Sequence, residues 1–333
     1  MSGKVQILAV EALKRYFPVR NDWGVRTGWL KALDGVSFSL GHGEVLGVVG
    51  ESGCGKSTLG KTIVGIQAPT EGELIFNGQP IGSLSNREQK QLRTQLQYCY
   101  QDPGASLDPR WKIGRSLEEP LVIHTPLSRD DRRQRVAEVL SSVGLPAAHL
   151  DLYPHEISGG QQRRIGIARV LMLRPSLVIL DEPTSGLDVS VQATVLNLLA
   201  ELRVRYNLAY LFISHDLAVV RKVSDRIAVM YLGRIVEIGP TAHVFASPAH
   251  PYTQSLIASA PRIRKERITD SFWLQGEPPQ PSNIPAGCRF APRCPKAQAM
   301  CRAVDPALVE DGNARSVACH FPDDSRQVVT AAS

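Results

Sequence analysis

The chain has no run of about 18 apolar residues, the length needed to cross a bilayer as a helix. Its longest apolar stretches, such as Leu177–Leu180 and Leu208–Ile213, are strand-sized, so the chain is not expected to span a membrane unaided. Met1–Arg15 carries Glu11 inside a short apolar run and lacks a small-residue cleavage site, which argues against a secretory leader and for a cytosolic chain. Cysteine is sparse: six residues, Cys54 and Cys99 standing alone and Cys288, Cys294, Cys301 and Cys319 crowding the tail. In a cytosolic chain that argues against a disulfide framework. Charge of one sign is also scarce, with 38 Lys+Arg against 32 Asp+Glu for a net +6, a mild excess that does not choose between nucleotide, anionic membrane surface and nucleic acid.

What is present is the composition of a folded protein, 43% hydrophobic and 21% charged. The 333 residues suffice for two domains of about 150 residues each. Up to about residue 245, apolar strand-like runs (Val45–Val49, Leu177–Leu180, Tyr210–Ile213) alternate with helix-like segments, which predicts a parallel α/β sheet. Functional residues then belong at the carboxyl ends of its strands. Residues 105–175 read as a helical insertion. Ser128 with Asp131 resembles a capping box, Val136, Val139, Leu140 and Val143 repeat at helical spacing, and Gly144 is placed to end that helix.

The character changes after residue 245. Eight of the 23 prolines lie beyond residue 275, preceded by the basic run Arg262, Arg264, Lys265 and Arg267. That run reads as a solvated linker, with contact to anionic lipid or an acidic partner as the alternative. The domains expected are therefore 1–245 and an extension, 246–333.

Gly50-Glu51-Ser52-Gly53-Cys54-Gly55-Lys56-Ser57-Thr58 matches G-x-x-x-x-G-K-[ST] between a strand and a helix. Glycines let the backbone curl so that successive N–H groups face phosphate oxygens, and the helix N-terminus adds its positive dipole end. Lys56 supplies a point charge to the β- and γ-phosphates, and Ser57 offers a hydroxyl to Mg²⁺. Cys54, at a free position, reads as a small filler. Leu177–Leu180 ends in Asp181 and Glu182. Asp181 can hold Mg²⁺ through water, while Glu182 points elsewhere and can act as general base on an attacking water. Ile157-Ser158-Gly159-Gly160-Gln161 precedes a helical pattern and reads as a second anion site. One chain cannot easily bring two such helix ends to one γ-phosphate, whereas two chains arranged head to tail can.

With these motifs the sequence closely resembles the ATP-binding subunits of ABC transporters, over nearly its whole length. The resemblance rests on Gly50–Thr58, the LSGGQ-like Ile157–Gln161, Gln101 in Tyr100-Gln101-Asp102-Pro103, Ser185-Gly186-Leu187-Asp188, and His215 in Ile213-Ser214-His215-Asp216. It implies a P-loop NTPase fold, an ABC-type nucleotide-binding domain with a helical subdomain and a short Cys/Pro-rich extension. It also implies roles. Phe17 would stack on adenine, with Tyr16 as the adjacent alternative. Gln101 would ligate Mg²⁺ and sense the membrane partner. Glu182 would be the base, and His215 would hold the γ-phosphate and water. Ser158, Gly159 and Gly160, in the signature that ends at Gln161, would clamp ATP on the opposite subunit, and Asp188 would cross the dimer interface.

The stretch Tyr100–Arg110 and the segment His250-Pro251-Tyr252-Thr253-Gln254-Ser255-Leu256 look like those of the oligopeptide/dipeptide importers. The insertion between Phe17 and Lys31 is similar to that of their F-type subunits. The resemblance implies peptide uptake at the cytoplasmic face of the inner membrane, with a homologous second ATPase subunit, two permease subunits, an extracytoplasmic binding protein and no nucleic acid. Nickel, glutathione, opine or oligosaccharide cargo, or a soluble ABC ATPase, are the alternatives. Cys288-x5-Cys294-x6-Cys301-x17-Cys319 offers four thiolates for zinc or an iron–sulfur cluster, and the lack of a C-x-x-C pair weakens the usual zinc reading. The pattern is similar to the tail of dipeptide-type ATPases, which implies a [4Fe–4S] cluster, with Zn²⁺ or metal-free thiols as alternatives. A proline-rich segment with little apolar periodicity has poor means to fold alone, and a metal crosslink would supply the missing stability.

Overall fold

The computed structural model describes residues 6–101, 104, 107–259, 279–280, 282–312 and 314–323. Asp102, Pro103, Ala105 and Ser106 of the glutamine-bearing loop lie outside the described residues, as does the basic run 262–267. In chain order the strands and helices begin with β1 (Gln6–Arg20), β2 (Arg26–Gly41), β3 (Val45–Val49), α1 (Lys56–Ile63), β4 (Glu71–Phe76), β5 (Gln79–Pro80), α2 (Asn86–Gln95) and β6 (Leu96–Cys99). Next come α3 (Ile113–His124), α4 (Arg129–Ser142), α5 (Gly159–Leu171), β7 (Leu177–Asp181), α6 (Val189–Tyr206), β8 (Ala209–Ile213), α7 (Leu217–Val223), β9 (Arg226–Tyr231) and β10 (Arg234–Pro240). The chain closes with α8 (Thr241–Ala246), α9 (Pro251–Ser259), α10 (Ala299–Ala303), β11 (Val309–Glu310) and β12 (Ser316–Val317).

The chain divides into two compact units that interleave in sequence. The first gathers the described residues of Met1–Ala9, Ser39–Val45 and Ile75–Ile213. Its parallel strands run in the order β8-β7-β6, with Tyr98 opposite Ile179 and Asp181 opposite Ile213. Every residue of β7 and β8 is buried, as expected for strands covered on both faces. Between β6 and β7 lie α3, α4 and α5. Helix α4 starts where Ser128 accepts from the Asp131 N–H and ends before Gly144, whose φ of 70° suits glycine. Its buried face is Val136, Val139 and Leu140. Helix α6 is capped by Asp188 at its start and by left-handed Asn207 at its end, and buries Val195, Leu196, Leu198, Leu199 and Leu202.

The second unit gathers the described residues of Val10–Phe38, Leu46–Leu74 and Ser214–Ser333. Its larger sheet runs β11-β12-β10-β9-β3, parallel between β3 and β9 and antiparallel beyond. The cysteine-bearing tail has packing of its own. Strand β12 adds to β10 through Val317 opposite Glu237, and Phe290, 1% exposed, packs its ring against Tyr231, Tyr252 and His250. The tail thus packs onto the rest of its unit through a buried aromatic group and an added strand, contacts that its own composition did not announce.

Candidate functional site

The residues singled out in the sequence divide between the two units. In the second unit, β3 ends at Val49 and the phosphate loop follows. Gly50 and Gly55 take φ of 153° and 109°. A Cβ on Gly50 would lie 2.2 Å from the Met230 carbonyl oxygen, and one on Gly55 would lie 2.3 Å from that of Ala32, so both glycines are required by backbone angle and by space. Lys56 is buried at the start of α1, and its Nζ donates to the carbonyls of Gly50 at 2.7 Å and Glu51 at 3.0 Å. The ammonium thus already lies inside the curl of the loop. Cys54 is buried, and that burial pushes its thiol pKa up, which suits a filler rather than a nucleophile. Ser52, Gly53, Ser57 and Thr58 complete the loop and the first turn of α1.

Phe17, on β1, is half-buried with the Arg15 guanidinium 4.5 Å from its ring centroid. Neighbouring Tyr16 is committed elsewhere, because its hydroxyl donates to Asp34. The carboxyl of Asp34 is pushed up by burial, but hydrogen bonds from Tyr16 and Arg289 outweigh this and hold it below the usual carboxylate range. His215 is exposed, just before Asp216, which caps α7 by accepting from the N–H groups of Ala218 and Val219.

In the first unit, Asp181 is the buried last residue of β7, and the Tyr98 hydroxyl donates to its Oδ2 at 2.5 Å. Glu182 follows with a φ of 49°, a left-handed conformation costly for a non-glycine residue, and its N–H donates to the Ile213 carbonyl at 2.9 Å. Gln101 donates from Nε2 to Glu182 Oε2 at 3.3 Å. Two residues called separately from sequence are thereby brought together.

Ser158 is the N-cap of α5. Its hydroxyl accepts from the Gln161 N–H, and the Gln161 side chain accepts from the Ser158 N–H, so Gln161 completes a capping box. Gly159 has ordinary backbone angles and nothing within 4 Å of a Cβ, and the Cβ of Gly160 would meet Val191 only at 3.5 Å. Nothing described in this chain requires glycine at either position. Asp188 likewise has a local task, accepting from the Val191 N–H at 2.8 Å, and that bond leads the causes holding its carboxyl below the usual range.

Sequence reasoning missed the residues that hold these groups in place. Arg163, two residues past the signature, donates to the carbonyls of Pro183 at 2.7 Å, Ser185 at 3.2 Å and Gln101 at 3.3 Å, joining α5 to the segments after β7 and β6. Tyr98 offered no signal beyond its strand position. In the tail, Cys288, Cys294, Cys301 and Cys319 line one small pocket with Phe290, Lys296 and His320. Burial pushes the Cys319 thiol up to about 11 and those of Cys288 and Cys294 up as well. Among the described residues no group of three or more His, Cys, Asp or Glu is arranged to hold a metal ion, so the expected cluster and its zinc alternative both go without support from this geometry.

A glycine loop with a buried lysine, two carboxylates at a parallel strand end and a capped glycine-rich helix start define a nucleotide-binding ATPase of the ABC class. The ABC transporter family model matches residues 33–185, and the model for the oligopeptide/dipeptide transporter C-terminal region matches 236–301. The chain is 48% identical to the oligopeptide transport ATP-binding protein AppF of Bacillus subtilis, over 95% of this chain and 97% of that one. It is 47% identical to the dipeptide transport ATP-binding protein DppF of Escherichia coli, over 93% of each. Among solved structures, the dimeric post-hydrolysis state of the ATP-binding cassette MJ0796 with ADP and Pi is similar at a TM-score of 0.62 and 26% identity, over 70% of this chain and 98% of that one. The chain belongs to the ATP-binding subunits of the oligopeptide/dipeptide importer family of ABC transporters.

Proposed function

We propose that this chain hydrolyses ATP to drive uptake of di- and oligopeptides, at the cytoplasmic face of the cell membrane. It would work with a homologous second ATPase subunit, two permease subunits and an extracytoplasmic binding protein. The observation that carries this reading is near full-length identity of 46–48% to four ATP-binding proteins named for oligopeptide, dipeptide or di/tripeptide transport. No helix among the described residues is long and apolar enough to cross a membrane, which fits a peripheral subunit. Residues 1–245 are assigned to the ATPase and 246–333 to the extension.

The chemistry follows from the residues. Lys56 exchanges the carbonyls of Gly50 and Glu51 for β- and γ-phosphate oxygens, and the loop N–H groups join it. The Ser57 hydroxyl, Asp181 and Gln101 suit Mg²⁺, which takes oxygen ligands and neutralises charge on the phosphates. Tyr98 holds one oxygen of Asp181 in place for that task. Glu182 accepts the proton of the attacking water. The water oxygen bonds to the γ-phosphorus as the bond to the ADP oxygen breaks, and His215 holds the γ-phosphate and the water. Phe17 stacks on adenine.

Ser158, Gly159, Gly160 and Gln161 clamp ATP held by the second subunit, with Asp188 at that interface. The open space at Gly159 supports this, because close approach of a ligand from outside explains a glycine that this chain does not itself need. Closure is coupled to transport if ATP is bound more tightly in the closed dimer than in the open one.

We propose also that Cys288, Cys294, Cys301 and Cys319 hold a [4Fe–4S] cluster. The support for this reading is that all four cysteines line one small pocket, together with their similarity to the tail of dipeptide-type ATPases. Such a cluster would supply a crosslink, and its thiols must lose their protons to bind it.

The test reconstitutes the chain with its second subunit and permeases in vesicles. Peptide-loaded binding protein should raise ATP turnover and drive peptide entry. Turnover indifferent to peptide across a dipeptide and oligopeptide panel would remove the cargo assignment, and no turnover at all would remove the ATPase assignment.

A further inference from the structure

Glu51, the second residue of the phosphate loop, is held at three points by its own unit. Its N–H donates to the Tyr252 hydroxyl at 2.9 Å, and its carbonyl accepts from Lys56 at 3.0 Å. Its carboxylate takes both arms of the Arg293 guanidinium, Oε2 from Nη1 at 2.7 Å and Oε1 from Nη2 at 3.0 Å. Tyr252 and Arg293 both belong to the stretch that matches the C-terminal region of peptide transporters, not to the stretch that matches the ABC transporter model.

The clamp is built to stay in place. The Arg293 side chain is 4% exposed, and its guanidinium also lies 5.9 Å from the centre of the Tyr231 ring. Tyr231, Tyr252 and Phe290 pack ring against ring, with centroids 4.7–5.5 Å apart. Four residues upstream of Arg293, Arg289 donates to Asp34 and to the Leu232 carbonyl, so the guanidinium is presented from a fixed backbone.

Two consequences follow for a loop that binds a triphosphate. A carboxylate inside it would repel the phosphates through a poorly screened path, and a bidentate guanidinium cancels that charge and fixes its direction. A loop tied at the N–H and the side chain of one residue, by contacts that nucleotide need not displace, also has less freedom to lose when nucleotide arrives.

We propose that Arg293, seated with Tyr252, is a positioning residue for the phosphate loop, so that the C-terminal segment sets affinity for ATP. This rests on the reading that Gly50–Thr58 binds the phosphates of ATP. Removing the guanidinium leaves the Glu51 charge uncompensated and the loop less ordered, which weakens binding while Glu182, Gln101 and His215 are unchanged.

The experiment measures ATP dissociation constants, KM and kcat on the full-length protein with its second subunit. R293Q should weaken ATP binding and raise KM about tenfold, with kcat at saturating ATP within about twofold of wild type. E51Q/R293Q should recover most of the lost affinity, because the charge that needed compensation is gone. An unchanged dissociation constant in R293Q overturns the proposal, as does a loss that E51Q does not rescue or one that falls on kcat alone. Should R293Q fail to accumulate as folded protein, R293K reads the same effect, since it keeps the charge and forfeits the bidentate bond. A two- to threefold weakening then supports the proposal, and an unchanged value overturns it. Wild-type protein that binds no ATP overturns the underlying reading, and the clamp with it.

Discussion

Nε2 of Gln101 stands 3.3 Å from Oε2 of Glu182, a contact between a residue that follows β6 and one that follows β7. The amide donates to the carboxylate expected to accept a proton from water, and it lies in the segment read as contacting the membrane partner. E182Q keeps the shape, loses the proton acceptor, and should lower kcat by two to four orders of magnitude. ATP binding should persist and the closed dimer should accumulate on ATP, read by phosphate release and size-exclusion chromatography. Turnover at the wild-type rate would remove Glu182 as the base.

Lys56 already donates to two loop carbonyls, so K56A loses internal bonds as well as the phosphate contact. ATP binding should weaken by at least about tenfold, and hydrolysis should become undetectable. Equilibrium binding of labelled nucleotide checks the first and phosphate release the second.

His250 is fully buried, and burial pushes its pKa down to about 3, so it stays neutral while Nδ1 accepts from the Tyr252 N–H at 3.0 Å. In the unfolded chain it titrates near 6.5. Its contribution is therefore fully present above pH 6.5 and is lost progressively as pH falls from there toward 3. H250N, whose side-chain oxygen can take the place of Nδ1, should be less stable than wild type at pH 7. By pH 5 that gap should narrow by about 2 kcal/mol, measured by chemical denaturation at both values. Neighbouring Glu237, which accepts from the N–H groups of Ala249 and His250, is common to both proteins and largely cancels in the comparison. A gap independent of pH would mean that His250 is not held neutral.

Protein purified without oxygen should carry about four iron and four sulfide per chain, and C294S should lose most of both. Elemental analysis with sulfide determination checks this, and visible absorption gives a second readout. A colourless, metal-free protein with an ordered tail would overturn the cluster, and stoichiometric zinc would replace it.

Much of the α/β framework was legible in the sequence because its signals are local. Buried parallel strands write themselves as short apolar runs, and β3, β7 and β8 appear where Val45–Val49, Leu177–Leu180 and Tyr210–Ile213 were read. The start of α4 at Ser128 and of α5 at Ser158 follows from capping chemistry that spans only three residues. The glycines of the phosphate loop belong to the same class, since backbone angle limits the residues allowed.

The groups that hold the chemistry in place were not legible, because each acts through space. Tyr98 meets Asp181 only because β6 and β7 pair in one register, and Arg163 reaches three carbonyls only once α5 has packed. The tail shows the difference most plainly. Its prolines and cysteines gave no sign that tertiary structure would add Phe290 to an aromatic group and bring Arg293 to Glu51, 242 residues away in sequence. The sequence by itself determined the phosphate-loop, strand-end and signature motifs, since these reside in residue type and short spacing. Tertiary structure alone decided what restrains them, since a guanidinium or phenol finds its partner only after distant strands have fixed both ends.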